Sequence, residues 1–218
     1  MAKKKDIQKR QKALERKAAR RKEKRRAPRP LFFDPRAVLR QAAHWPLHEC
    51  LLNEGWQEEG KLVQILVARR SPLGQVATGT FLVDLGCLGV KSAFASLFDS
   101  QREYEQRLRR RLTDQMPMMK ADLNLAAKII GESIAYARRL GFEPDPDYRE
   151  AMIVLGEANP EACDVPIPLG GRDGKPFFIA GLYDDVPRIM ARLERALGPD
   201  GFHFLVPIGG DFEVWDDD

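Results

Sequence analysis

The segment DLGCLGVKS, residues 84–92, carries the side chains and glycines best suited to binding a small anion. It follows a strand-like run and precedes a segment with helical periodicity, and free backbone amides at such a junction can bind a phosphate or carboxylate. It is not a Walker A loop, because only two residues separate its glycines and Val90 stands before the lysine. The simpler interpretation is that the glycines allow a bulge or tight packing at a strand end. The functional alternative is an enzyme that acts on a small anionic or nucleotide-like ligand, with a site formed by Asp84, Gly86, Gly89, Lys91 and His48.

A second group of chemically capable side chains lies in residues 44–50, HWPLHEC. Two histidines beside a carboxylate and a thiol are the ingredients of a metal site or of a Cys/His pair. Pro46 prevents a regular helical pairing of His44 with His48, and the HExxH pattern is absent. We therefore predict no metal and no cofactor here, and we interpret Cys50 and Cys87 as small buried hydrophobic residues.

Charge is strongly segregated along the chain. Residues 1–30 hold 15 Lys+Arg against 3 Asp+Glu, a net charge of +12, and residues 31–218 hold 21 basic and 29 acidic residues, a net charge of −8. Residues 3–26 favour helix by composition, but their apolar stripe is too thin to pack on a core, so the arm is expected to be largely disordered when alone. A polyanion changes this balance, because each neutralised phosphate releases condensed counterions.

The arm therefore predicts binding to RNA, DNA or a ribonucleoprotein. A membrane surface fits less well, because Ile7 and Leu14 supply little apolar area, and a solubilising tail without a dedicated partner is the simplest alternative. A second basic cluster at 107–111 extends the predicted phosphate-contacting surface, although a solvated helix face is its simpler interpretation. The predicted contacts are Lys3, Lys4, Lys5, Lys9, Arg10, Lys12, Arg16, Lys17, Arg20, Arg21, Lys22, Lys24, Arg25, Arg26, Arg107, Arg109, Arg110 and Arg111.

The elements that must position these groups indicate an α+β fold. Asp34 and Pro35 favour a short helix over 35–43, and the Val- and Leu-rich runs at 61–69 and 76–85 predict a β-hairpin. Helical periodicity follows from Ser92 to Leu140. Further along the chain we predict a helix from 145 to 156, a turn at 170–174, a strand at 177–179, a helix from 185 to 197 and a strand at 202–206.

These elements predict one layered domain over 31–210 with a β-hairpin, a central helical block and a C-terminal strand-helix-strand unit. A basic helical or disordered arm (1–30) precedes it and an acidic tail (211–218) follows, which allows the tail to shield the arm in cis. An alternative division makes residues 92–156 a lobe of their own.

Composition also indicates the cellular compartment in which the protein is located. The three cysteines, at 50, 87 and 163, form no CxxC pair, which suits a reducing environment. No apolar run approaches the roughly 20 residues of a membrane span, and the N-terminus lacks a signal-peptide core. We expect a cytoplasmic, non-enzymatic accessory protein that binds nucleic acid with little sequence specificity; a protein-interaction adaptor is a further alternative.

Four strings resemble recurring blocks of an uncharacterised bacterial protein family. They are PLHEC at 46–50, LVDLGCLGVK at 82–91, ARRLGFEP at 137–144 and GKPF at 174–177. The resemblance covers most of residues 45–180. It implies a bacterial soluble protein, and it implies no reaction, cofactor or residue role.

Overall fold

A five-stranded antiparallel sheet forms the centre of the structure, a computed structural model that describes residues 35–171, 173–181 and 183–206. The order of its strands is β4-β3-β2-β1-β5, and the α+β class is confirmed. The predicted hairpin is also confirmed: Ile65 pairs with Phe81, and the amide N–H of Ser71 donates to the carbonyl of Gln75 in the connecting turn. The strands are β1 (Leu47–Asn53), β2 (Leu62–Arg70), β3 (Val76–Asp84), β4 (Gly89–Phe98) and β5 (Met118–Lys120).

The basic arm (1–30) and the acidic tail (211–218) lie outside the described residues. The described residues from Val38 onward belong to one compact unit. The first helix, α1 (Pro35–Ala42), matches the helix predicted from 35 to 43. The cap predicted at Asp34 lies outside the described part of the chain.

Strand β4 corrects the prediction that helical structure begins at Ser92. The sequence from 92 to 98, SAFASLF, is rich in Ala and Ser and carries no strong strand preference of its own. Pairing with β3 from Val76–Phe98 to Asp84–Gly89 makes it a strand. Strand β5 interrupts the predicted helical block a second time, and β1 was not predicted. The helical elements of the block are α2 (Gln101–Tyr104), a π-helical turn (Glu105–Arg109), α3 (Arg110–Gln115) and α4 (Leu123–Arg139).

Both faces of the sheet are covered. Val63, Ile65 and Val67 of β2 belong to the main core with α4, and Leu66 and Ala68 belong to a second cluster on the opposite face, together with the apolar residues of α2 and α3. A strand that is buried on both faces explains the nearly continuous apolar run of β2. Residues of α4 and of the sheet belong to the same core. After α4 come α5 (Tyr148–Ala151) and two 3-10 helices (Met152–Leu155 and Pro160–Ala162).

The C-terminal strand-helix-strand unit is confirmed. It comprises β6 (Phe177–Ile179), α6 (Val186–Leu197) and β7 (His203–Leu205), and β6 and β7 pair in parallel. Asp185 caps α6 by accepting a hydrogen bond from the amide of Arg188. None of the described helices has the length and apolarity that a bilayer crossing requires.

Candidate functional site

A cleft of about 460 Å³ opens beside the turn that joins β3 to β4. Its walls come from this turn, from residues 57–62, and from the segments 168–171 and 177–181. Three of the five residues predicted for the ligand site, Asp84, Gly86 and Lys91, therefore lie together. Among the described residues, the charged side chains that line the cleft are Glu58, Glu59, Lys61, Asp84 and Lys91.

Asp84 is the most buried charged residue of the cleft, with only 6% of its surface exposed. Its Oδ1 accepts hydrogen bonds from the amides of Cys87 at 2.8 Å and Leu88 at 3.2 Å, so the side chain caps the β3–β4 turn. Burial raises the pKa of Asp84, and the turn amides and the nearby Lys91 ammonium oppose that rise.

Lys91 is neutralised by a carboxylate that sequence reasoning missed. Its Nζ lies 2.7 Å from Asp184 Oδ2, and the two side chains are 16% and 11% exposed. The same Oδ2 accepts a hydrogen bond from the amide of Gly181 at 2.9 Å. Lys91 and Asp184 are 93 residues apart, so no spacing rule could have connected them.

The two glycines of the 84–92 segment serve packing. A Cβ at Gly86 would lie 2.1 Å from the Phe177 carbonyl oxygen. Gly89 has φ +69°, and a Cβ there would lie 2.8 Å from the Cβ of Ala137, so it contacts α4 and does not line the cleft. The segment leads into β4, which corrects the prediction of a strand-to-helix junction whose amides would bind an anion.

His48 lies far from the cleft. Leu47 pairs with Arg69 at one end of β2, and Asp84 pairs with Leu62 at the other end. These ends are seven residues apart on β2, about 23 Å at the usual rise per residue. The structure therefore does not bring His48 together with the other four predicted residues.

Glu49 and Cys50, which follow His48, point to opposite faces of the sheet, because side chains alternate along a strand. Glu49 accepts hydrogen bonds from the Tyr104 hydroxyl at 2.5 Å and from Arg109 Nε at 2.9 Å. Cys50 instead packs in the main core, where burial raises the pKa of its thiol to about 12. A Cys/His pair is not formed by these residues.

The arginines of the 107–111 cluster have different surroundings. Arg109 is held by Glu49, and Arg107 pairs with Glu103 one helical turn away. Arg110 and Arg111 are exposed, and neither forms an ion pair with another described residue. The cluster therefore exposes Arg107, Arg110 and Arg111 to solvent. Arg109 instead forms an ion pair within the fold, with Glu49.

The charged groups of the cleft mostly satisfy one another. Lys61 lies 2.8 Å from Glu58, Lys91 pairs with Asp184, and Asp84 is held by turn amides. Lys61 and Lys91 therefore each have a carboxylate partner among the described residues, and Asp84 has neutral donors. A scan against models of protein families finds no match to this chain, and searches of curated proteins and of solved structures likewise find no similar protein.

Proposed function

We propose that this protein is a non-enzymatic accessory protein that binds RNA, DNA or a ribonucleoprotein through its basic N-terminal arm. The observation that carries the proposal is the segregation of charge, with a net +12 in residues 1–30 and a net −8 in the rest of the chain. Neutralisation of phosphates by Lys and Arg releases counterions, which gives affinity without a need for base recognition. We therefore propose binding with little sequence specificity.

The described part of the chain supports an assisting surface. Arg107, Arg110 and Arg111 are exposed on the helical segment from 101 to 115 and lie within four residues of one another, a spacing that places side chains on neighbouring turns. Contacts from such side chains to phosphates orient a protein on nucleic acid and carry no sequence information. Arg109 contributes less, because Glu49 already engages its guanidinium.

The cysteines favour a location in the cytoplasm. Cys50, Cys87 and Cys163 are all free, which suits a reducing compartment. A cytoplasmic location is therefore part of the proposal.

The test compares full-length proteins that differ only in charge. In one variant the fourteen predicted arm contacts are replaced by Gln; in the control, the exposed Arg138, Arg139, Arg188 and Arg195 are replaced by Gln. Fluorescence anisotropy with labelled single-stranded RNA, single-stranded DNA and duplex DNA of mixed sequence measures binding. The proposal predicts that the arm variant loses most affinity for all three and that the control keeps it. Equal affinity of the arm variant and the unmodified protein would exclude the proposal.

A further inference from the structure

We infer that the cleft beside the β3–β4 turn binds a small organic cation, an ammonium or guanidinium group carried by a short apolar chain. This site is separate from the proposed nucleic-acid binding and does not depend on it. The inference rests on the balance of charge in the cleft, on the burial of Asp84, and on the apolar walls that surround the charged groups.

The two cations found among the described residues of the cleft are already paired with carboxylates. Lys61 pairs with Glu58 at 2.8 Å, and Lys91 pairs with Asp184 at 2.7 Å in a largely buried contact. Asp84 then remains as an additional buried carboxylate, because no described cation lies within ion-pair distance of it. The cleft therefore carries an excess of negative charge among its described residues.

A buried carboxylate without a cationic partner is unfavourable, and a positively charged ligand compensates it. The amides of Cys87 and Leu88 donate to Oδ1 of Asp84, and the Gly86 amide also stabilises this carboxylate, but all three donors are neutral. Lys91 acts on Asp84 from beyond ion-pair distance, since its Nζ is held by Asp184. A second cation beside Asp84 would thus meet an acceptor that the protein leaves incompletely neutralised.

The remaining walls suit a short apolar chain. Leu85, Leu169, Phe177 and Ile179 line the cleft around the charged groups. The volume of about 460 Å³ is within the range of small-molecule sites, which combine apolar walls with a few polar groups that fix orientation. A ligand with its charge at Asp84 and its carbon chain on these walls would satisfy both features.

The same charges oppose the anionic ligand that the sequence suggested. An anion in the cleft would face the buried carboxylate of Asp84, and the Lys91 ammonium that was expected to attract it already pairs with Asp184. The helix N-terminus that was expected to supply amides is replaced by strand β4. The cleft is therefore matched in charge to a cation.

The experiment uses three probes of nearly equal shape with the full-length protein. Isothermal titration calorimetry measures binding of n-butylammonium, butanoate and n-butanol, and n-butylguanidinium distinguishes a guanidinium from an ammonium preference. We expect saturable binding of at least one of the two cations, and affinities for butanoate and butanol weaker by about tenfold or more, the size of a charged hydrogen bond. Absence of saturable binding for both cations, or butanoate binding as tight as the cations, would overturn the inference.

One substitution and a matched control test whether the cation binds at Asp84. Asp84→Asn keeps an oxygen that can cap the turn but removes the charge, and should lower cation affinity by about tenfold. Asp145→Asn is the matched control, because Asp145 Oδ1 also caps a turn, by accepting from the Asp147 amide at 2.9 Å, and lies outside the cleft. Unchanged cation affinity in Asp84→Asn would contradict the assignment.

A second variant keeps the test decisive if Asp84→Asn does not fold. Asp184→Asn retains an acceptor for the Gly181 amide but leaves the Lys91 ammonium without its carboxylate. We expect the affinity for butylammonium to fall and the affinity for butanoate to rise, a reversal that a general loss of structure would not produce. Parallel losses for both probes would contradict the proposed role of charge.

Discussion

Lys91 Nζ lies 2.7 Å from Asp184 Oδ2, and this ion pair joins the start of β4 to the loop that precedes α6. Both side chains are largely buried, so neither charge is well solvated by water. The pair connects one wall of the cleft to the central sheet and neutralises the positive charge of Lys91. Its removal should therefore affect both stability and the charge of the cleft.

Asp184→Ala should lower the free energy of unfolding by about 3 kcal/mol, because loss of one partner leaves a buried charge uncompensated. The double variant Lys91→Met/Asp184→Leu should regain much of that loss, since two apolar side chains leave no unpaired charge. Urea denaturation followed by circular dichroism measures both. A double variant no more stable than Asp184→Ala would show that the pair is not what holds this loop.

The buried carboxylate of Asp84 predicts a specific pH dependence. Burial raises the pKa of Asp84 in the folded protein above its ordinary value of 3.8, against the opposing effects of the turn amides and Lys91. The folded state then holds this proton more tightly than the unfolded state, so its contribution to stability is complete below pH 3.8 and is lost as pH rises through the folded-state pKa.

The measurement compares the unfolding free energies of the unmodified protein and Asp84→Asn from acidic to neutral pH. The unmodified protein should lose stability relative to Asp84→Asn as the pH rises. Asp173→Asn is a control of opposite sign, because the hydrogen bond from His203 lowers the pKa of Asp173. The opposite trend for Asp84→Asn would mean that the turn amides and Lys91 outweigh burial.

Gly89→Ala tests the packing of the β3–β4 turn on α4. Gly89 has φ +69°, and a Cβ would lie 2.8 Å from the Cβ of Ala137. We expect a loss of about 2–3 kcal/mol from the left-handed backbone and the overlap together. Gly74→Ala is the control, since Gly74 has φ +91° but nothing within 4 Å of the added carbon, and should lose only about 1 kcal/mol. Thermal or urea unfolding that ranks the two variants in the reverse order would contradict this packing.

The three cysteines should differ in reactivity. Cys50 and Cys87 are buried, and burial raises the pKa of both thiols, that of Cys50 to about 12. Cys163 is only partly buried. Iodoacetamide at neutral pH, followed by peptide mass spectrometry, should modify Cys163 first, because the thiolate is the reacting form. Labelling of Cys50 at the rate of Cys163 in the folded protein would show that the main core opens readily; urea should make all three accessible.

The parts of the fold that follow local rules were predictable from sequence. The hairpin of β2 and β3 has two apolar runs around a turn with Pro72 and Gly74, and α6 has an N-cap and a proline in its first turn. Strand β4 was not predictable in this way, because its Ala- and Ser-rich sequence becomes a strand through pairing with β3. Strand β1 has polar residues near its start and a register shift between Leu47 and Glu49. For these reasons its sequence lacks the regular alternation of apolar and polar residues that predicts a strand.

Only the part of the candidate site that lies within one short stretch of sequence was predictable. Asp84, Gly86 and Lys91 were identified because they follow a recognisable strand within eight residues of one another. The partner of Lys91 comes from a distant loop, and the walls at 57–62 and 168–171 have the composition of ordinary turns. The charge partners in the cleft therefore depend on tertiary contacts that the sequence does not reveal, and the anionic ligand stays a prediction of the sequence alone.

The dependence of nucleic-acid affinity on salt tests the central functional claim most directly. For duplex DNA the logarithm of the association constant falls against the logarithm of salt concentration with a slope of about 0.9 per phosphate neutralised. We predict a steep slope for the unmodified protein, a much shallower one for the variant with the arm cations replaced by Gln, and an unchanged one for the Arg138/Arg139/Arg188/Arg195 control. Equal slopes for the unmodified protein and the arm variant would contradict binding through the arm.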